Sequence, residues 1–282
     1  MKKVLLTSVL CCFLAVVAQA VPAYPYPVEI TLEDGSVVMG QIHGDEFFSY
    51  VTDMQGNVIR GHKPSAVDSV VVNSARRARQ KEMIGSGFPL TGSPRTLAIL
   101  VEFNDLKFIK TNADFANLLM QSGYSENGAT GSCRDYFIAC SDSIFQPQID
   151  VYGPYQVDYS VETSSKNKEA IFKAALQLAN NDGVDFSKYD MDENGRVDNV
   201  FFYYAGHNSA EGGPDYTIWP HASQFQNFFI KQDGKDLQFE SYACTSELKS
   251  NSGNTMCAIG TFCHEFGHVL TLPDFYDTDY AS

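Results

Sequence analysis

The sequence carries one cluster of residues with an unmistakable spacing for metal chemistry, the run HEFGH at residues 264–268. On a helix, positions i and i+4 differ by about 40° around the axis and about 6 Å along it, so His264 and His268 project from one face. Two neutral imidazoles on one face can share a tetrahedral zinc ion. Glu265 is angled toward the side where a water would lie, which suits a general base. The spacing predicts zinc-dependent hydrolysis.

A catalytic zinc site needs a third protein ligand, and carboxylates follow the motif closely. Asp274 comes shortly after His268, directly beyond a proline, and a turn there can bring its carboxylate back toward the metal. Asp277 and Asp279 are competing carboxylates, and Asp274 could instead cap the turn. We expect Asp274 to be the third ligand.

A second pattern of oxygen donors lies at residues 190–198, which read DMDENGRVD. In a calcium loop, oxygens at the first, third and fifth positions converge on the ion, and glycine at the sixth allows the sharp turn. The candidate ligands are Asp190, Asp192, Asn194, the carbonyl of Arg196 and Asp198. The twelfth position is Phe201 rather than the Glu of an EF-hand, so the pattern predicts structural Ca²⁺ without the EF-hand completion. A polar turn between a helix and a strand is the alternative.

Five further residues have two possible roles each. Trp219 and His221 could line the rim of a substrate cleft, although a core corner explains the tryptophan equally well. Glu247 could line the cleft or cap a turn. Glu46, like its neighbour Asp45, could block the zinc, or could belong to an exposed turn.

The first 20 residues have the pattern of a secretory signal. Two lysines precede an apolar run, and Ala18-Gln19-Ala20 forms an A-x-A cleavage site. We expect cleavage after Ala20, secretion, and no membrane association afterwards. The net charge is −14, with 20 Lys and Arg against 34 Asp and Glu, which argues against a nucleic-acid partner.

The rest of the chain divides into three parts by pattern. Residues 21–73 alternate in hydropathy around turns, one of them a hairpin turn at Asp34-Gly35, and predict a small β-rich pro-region. Residues 74–95 hold a dense basic run followed by Gly and Pro, which predicts a linker that an activating protease could cut at 74–81. Residues 96–282 mix apolar strands, near 97–103 and 200–204, with helical spacing at 112–120, 132–140 and 255–270. They predict an α/β (α+β) catalytic domain.

Residues 264–277, HEFGHVLTLPDFYD, resemble the HEFGHxLGLPDxYD signature of the M6 (immune inhibitor A-like) family of secreted metallopeptidases. The likeness extends over roughly residues 95–282. Further stretches similar to the family lie at 131–137, 152–155, 190–198, 205–207 and 218–221. The resemblance implies a zincin or metzincin-like fold, His264, His268 and Asp274 as zinc ligands, Glu265 as general base, and protein or peptide substrates.

Two departures from the family pattern carry expectations of their own. Thr271 stands where the family has Gly, and a β-branched residue at φ > 0 is strained by about 1–2 kcal/mol. The chain also ends shortly after Asp274, so the resemblance implies an N-terminal fragment of the catalytic domain with weak or no activity alone. The alternative function is a non-catalytic secreted remnant that binds calcium and zinc.

Overall fold

The structure is a computed structural model, and it describes residues 23–32, 34–84 and 87–274. The predicted signal peptide and two of the competing carboxylates, Asp277 and Asp279, lie outside the described residues. Within the described part of the chain, no helix has both the length and the apolar character needed to cross a membrane.

The N-terminal part forms a four-stranded antiparallel sheet with the order β1-β2-β3-β4. Its strands are β1 Val28–Thr31, β2 Val37–Gly44, β3 Ser49–Asp53 and β4 Val58–Arg60. Val28 and Ile30 point inward from β1 while the residues between them face solvent, as a period of two requires. The hairpin predicted at Asp34-Gly35 is confirmed by the pairing of β1 with β2.

Helix α1, Ala66–Ile84, follows the N-terminal sheet and runs across the boundary that the sequence pattern placed between residues 73 and 74. Residues 74–84 of the predicted linker are therefore helical. Several strong helix formers occupy this stretch, and no proline interrupts it, so the local sequence supports the helix once its start is fixed.

The larger part is a five-stranded mixed sheet with helices on both faces. Its strands are β5 Arg95–Glu102, β6 Gln148–Gln156, β7 Arg196–Tyr204, β8 His221–Gln232 and β9 Lys235–Ser246. Its helices are α2 Asn112–Met120, α3 Cys133–Cys140, α4 Ser164–Asn181 and α5 Ile259–Val269. The order is β6-β5-β7-β9-β8, and all neighbours are parallel except β8, which runs antiparallel at one edge.

Side chains of β5 alternate between two apolar cores. Leu97 and Ile99 belong to the core that α4 covers, whereas Ala98 and Leu100 belong to the core that α2, α3 and α5 cover. Burial on both sides explains why the central strands read as continuous apolar runs. The layered arrangement confirms a mixed α/β architecture.

Most local predictions in this part are confirmed. The strands expected near 97–103 and 200–204 and the helices expected at 112–120 and 132–140 are all present. The helix expected over 255–270 begins only at Ile259. Strands β6, β8 and β9 have no counterpart among the sequence predictions.

Candidate metal centre

Helix α5 is held in one rotational setting by its inner face. Phe262 lies 4.2 Å from the ring of Phe201 on β7, and Phe266 lies 5.6 Å from the ring of Phe137 on α3. Both inner phenylalanines are fully buried, as is Val269 one turn further along. Turning the helix would expose this apolar surface, so the core fixes where the other residues of α5 point.

The opposite edge of α5 carries the predicted histidines. The rings of His264 and His268 have centroids 4.5 Å apart and planes at 89°. Together with Glu265, they place one donor atom each within 4.8 Å of one another. The predicted zinc histidines are thus brought together at the surface of the helix.

A backbone carbonyl orients the second histidine. Nδ1–H of His268 donates a hydrogen bond to the carbonyl of Leu272 at 2.8 Å. The proton on Nδ1 leaves the lone pair on Nε2, which is the tautomer a metal ligand needs.

Asp274 returns to the two histidines as the third donor. Its Oδ1 lies 3.1 Å from Nε2 of His268 and 3.9 Å from Nε2 of His264. Ligand atoms about 2.1 Å from a tetrahedral zinc are separated by about 3.4 Å, and the two distances lie on either side of that value. These three side chains are 6–11% exposed, so water retains limited access to the group. The donor set fits zinc.

The turn after α5 brings Asp274 back. The amide of Leu272 donates to the carbonyl of Gly267 at 3.0 Å, and the amide of Thr271 donates to the carbonyl of His268 at 2.9 Å. These two hydrogen bonds form a Schellman motif, in which the first residue beyond the helix end adopts the left-handed backbone conformation. That residue is Thr271, with φ 72°. The strain that the departure from the family pattern implies is therefore present, between His268 and Asp274.

Glu265 lies beside the donors and is almost fully buried. Its Oε1 is 3.7 Å from Nε2 of His264, and the residue is 2% exposed. A carboxylate in a poorly hydrated position next to a metal is well placed to exchange protons with a water there.

The predicted calcium loop is held by hydrogen bonds between its own residues. The Asp190 carboxylate accepts hydrogen bonds from the amides of Asn194 at 2.9 Å and Gly195 at 2.8 Å. Gly195 has φ 85°, which the turn requires. Asp192 is exposed, whereas Asp198 is buried at the start of β7. The carboxylates of this loop do not gather as tightly as the donors on α5.

The two cleft candidates lie in packed surroundings. Trp219 packs against the apolar face of the N-terminal sheet. His221 is buried, with Nδ1 2.8 Å from the carbonyl of Trp219 and Nε2 3.1 Å from the Tyr242 hydroxyl. Tyr242 belongs to the core under α4, on the sheet face opposite α5. The core-corner reading therefore describes both residues better than the cleft reading.

Glu247 caps a loop. Its Oε1 accepts from the amides of Ile109 and Lys110, both at 2.7 Å, and its Oε2 accepts from the amide of Gly206 at 3.1 Å. Burial raises the pKa of this carboxyl group, and the three amides partly offset the increase. The glutamate ties the ends of β7 and β9 to the loop before α2, which agrees with the turn-capping alternative.

Two residues near the calcium loop have no counterpart in the sequence predictions. Glu240 on β9 pairs with Arg196, and the backbone of Gly87 approaches the side chain of Asp198. The sequence around these residues does not place either of them at the loop. Glu240 reaches it through the pairing of β9 with β7, and Gly87 reaches it because a segment distant in sequence passes over Asp198. They become visible only in the fold.

Comparison with known proteins adds a family to this geometry. A family model described as immune inhibitor A peptidase M6, catalytic domain, matches residues 145–282. Immune inhibitor A of Bacillus thuringiensis subsp. alesti is 28% identical over 137 residues, covering 41% of this chain and 19% of that protein. Pre-pro-metalloprotease PrtV of Vibrio cholerae serotype O1 is 22% identical over 242 residues, covering 66% of this chain and 25% of that protein. The chain spans about a fifth to a quarter of the length of these relatives.

Replacing the strained residue by glycine should stabilise the protein. Thr271→Gly removes about 1–2 kcal/mol of left-handed strain and adds about 0.5–1 kcal/mol of backbone entropy in the unfolded chain, so the net gain is about 0.5–1 kcal/mol. Thermal unfolding of zinc-free protein measures it as a higher Tm. Thr255→Gly serves as the control, because residue 255 is not among those with φ > 0. An unchanged or lower Tm for Thr271→Gly would show that the turn is not strained.

Proposed function

Because residues 145–282 form a peptidase M6 domain of the immune inhibitor A type, we propose that this chain is a secreted zinc-dependent endopeptidase. Its substrates are proteins or peptides, and its catalytic part has a zincin or metzincin-like fold. The observation that carries the proposal is the approach of His264, His268 and Asp274 to one point, with Glu265 beside it. A fold without metal chemistry has no need for three nearly buried donors on one helix and its returning turn.

The proposed mechanism assigns one task to each side chain. His264, His268 and Asp274 hold zinc, and a bound zinc supplies Lewis acidity toward the scissile carbonyl and toward water. Glu265 accepts a proton from the attacking water and donates it to the leaving amine. The Leu272 carbonyl keeps His268 in the required tautomer.

Glu265→Ala should lower proteolysis by about 10²–10⁴-fold, because it removes the proton acceptor. Zinc content should stay unchanged, because the three ligands remain. Casein cleavage after activation and metal analysis of the same sample measure both effects. Glu126→Ala is the control, since Glu126 is exposed in a short turn away from α5.

Undiminished casein cleavage by the Glu265→Ala protein would refute the role of Glu265. The alternative of a non-catalytic metal-binding remnant predicts a different result. In that case the wild-type chain binds zinc but shows no cleavage that a chelator abolishes, even after activation.

Asp274→Ala should weaken zinc binding by more than about tenfold, because even the loss of an outer partner of a metal ligand commonly costs 10–100-fold. Competition with a zinc indicator measures the dissociation constant. Asp236→Ala is the matched control, because Asp236 is an exposed residue near the β8–β9 turn. Equal zinc affinities for the two variants would remove Asp274 from the ligand set.

The N-terminal sheet and α1 are proposed to be the pro-region of a zymogen. Helix α1 contacts both α5 and β8, so it lies across the edge strand and the helix that carries the histidines. The sheet is anchored separately, by the amide of Tyr24 donating to the carbonyl of Ala210 at 2.8 Å and by an ion pair of 3.6 Å between Arg60 and Asp215. A substrate reaching α5 along β8 would meet α1.

Activation is proposed to occur by cleavage in the basic run at residues 74–81, which lies in α1. An activating protease of trypsin-like preference fits the run of arginines and lysine. The signal peptide, with cleavage after Ala20, is proposed to direct secretion. We also propose that the loop at 190–198 binds Ca²⁺ as a structural ion.

Release of the pro-region should be visible in tryptophan fluorescence. Trp219 is the single tryptophan, and it packs against the N-terminal sheet. Trypsin cleavage in the basic run should shift its emission to longer wavelength, because departure of the sheet brings water to the indole. Trp219→Phe is the control for signal from other chromophores. Complete cleavage at 74–81 without any emission shift would show that the sheet does not leave.

A further inference from the structure

The carboxylate of Asp198 is buried without compensation. The residue is 1% exposed, and neither oxygen makes a well-oriented hydrogen bond to any described residue. Burying a carboxylate that has no hydrogen-bond partner costs folding free energy. Asp198 therefore either binds a ligand or destabilises the protein.

The loop beside Asp198 presents further oxygens. Asp190 is fixed by two amides of the loop, and the side-chain amide of Asn194 donates to Oδ2 of Asp192 at 2.9 Å. Glu240 lies next to Asp198 on the adjacent strand, between the pairs that join β7 to β9. These residues place further carboxylates near the start of β7, without gathering them as tightly as the donors on α5.

The charges of this group are not balanced by the protein. Arg196 pairs with Glu240. Asp190, Asp192 and Asp198 make no ion pair with any Lys, Arg or His in the described ranges. Mutual repulsion keeps such carboxylates apart until a cation arrives. Oxygen donors without imidazole or thiolate suit Ca²⁺ rather than zinc.

Asp198 also lies against the entering segment, residues 87–94, which leads from α1 to β5. A Cβ on Gly87 would lie 3.9 Å from Oδ1 of Asp198, and Gly87 has φ 71°. The next residue, Phe88, is buried, and its ring lies 5.4 Å from that of Phe266 on α5. Asp198 therefore lies against the entering segment, and the entering segment lies against helix α5.

We propose that Ca²⁺ binds between the 190–198 loop and Asp198, and that this ion holds the entering segment, residues 87–94, against β7. The inference rests on the calcium loop of the proposed function and adds what the ion controls. Without the ion, the charged carboxylate repels neighbouring acids beneath the segment. With it, Asp198 is neutralised in place and the segment packs over it. The ion thereby keeps Phe88 seated on α5 when the pro-region upstream is cut.

Hydrogen–deuterium exchange of the full chain tests the tether. All proteins carry Glu265→Ala to prevent self-digestion, and zinc is held constant while Ca²⁺ is added or omitted. Calcium should slow exchange in the peptide covering residues 87–94 about tenfold, which corresponds to about 1.4 kcal/mol of local opening. One amide there is a built-in reference, because Gly92 already donates to the carbonyl of Ile144.

Asp198→Asn should abolish the calcium effect, and Asp233→Asn should leave it intact. Asp233 is exposed at φ 49° in the β8–β9 turn, where Asn is equally acceptable. Asp198→Asn should fold, since Asn has the same shape as Asp and places no charge in this buried position, and its Tm verifies this. Asp192→Asn, at an exposed position, gives a second variant that should weaken the calcium effect.

Calorimetry with Ca²⁺ separates the ways in which the proposal can fail. If Ca²⁺ does not bind, the calcium loop and the tether are both overturned, while zinc peptidase activity is judged independently by the Glu265 experiment. If Ca²⁺ binds and exchange at 87–94 is unchanged, the loop stands and the tether is wrong. A calcium effect of equal size in the Asp198→Asn protein also overturns the tether.

Discussion

The rotational setting of α5 is the constraint on which the metal centre depends. Phe262 and Phe266 pack against the sheet and α3, and this burial leaves only one edge of the helix for other uses. His264 and His268 lie on that edge because their spacing is a little more than one turn. The core therefore does two things with one short helix. It stabilises the domain, and it aims two imidazoles without any loop that would need ordering.

The turn after α5 extends this precision to a residue outside the helix. Its two hydrogen bonds fix the direction of the chain, and the carbonyl of Leu272 in the same turn orients His268. Asp274 follows and returns to the histidines. Thr271 adopts a conformation that suits glycine better, so strain is stored beside the donors. The packing of the turn against α5 is strong enough to hold Thr271 in this conformation.

The rest of the molecule meets this centre from two directions. From the N-terminal side, α1 crosses β8 and α5, while the sheet before it is anchored near Trp219. From the other side, the loop at 190–198 reaches α5 through Asp198, Gly87 and Phe88. Changes in either region are therefore physically connected to helix α5.

The sequence by itself determined the features that depend on local spacing. A helix repeats every 3.6 residues, so the HEFGH run predicts two imidazoles on one face, and the structure has them there. Continuous apolar runs also predicted β5 and β7, because a strand that is buried on both faces does not need polar residues at alternate positions. The strain at Thr271 was implied by the resemblance instead, because the family has Gly at this position.

Tertiary structure decided everything that depends on pairing between distant segments. Strands β8 and β9 are mixed in polarity, and only their neighbours in the sheet make them strands. Helix α1 crosses a boundary where composition changes: its helix formers support it locally, and its contacts with α5 and β8 decide where it lies. The place of Trp219 against the N-terminal sheet, and that of Gly87 over Asp198, have no local signature. Spacing along the chain fixes which atoms can share a helix face, whereas the burial of apolar surface between distant segments decides which of those faces meet.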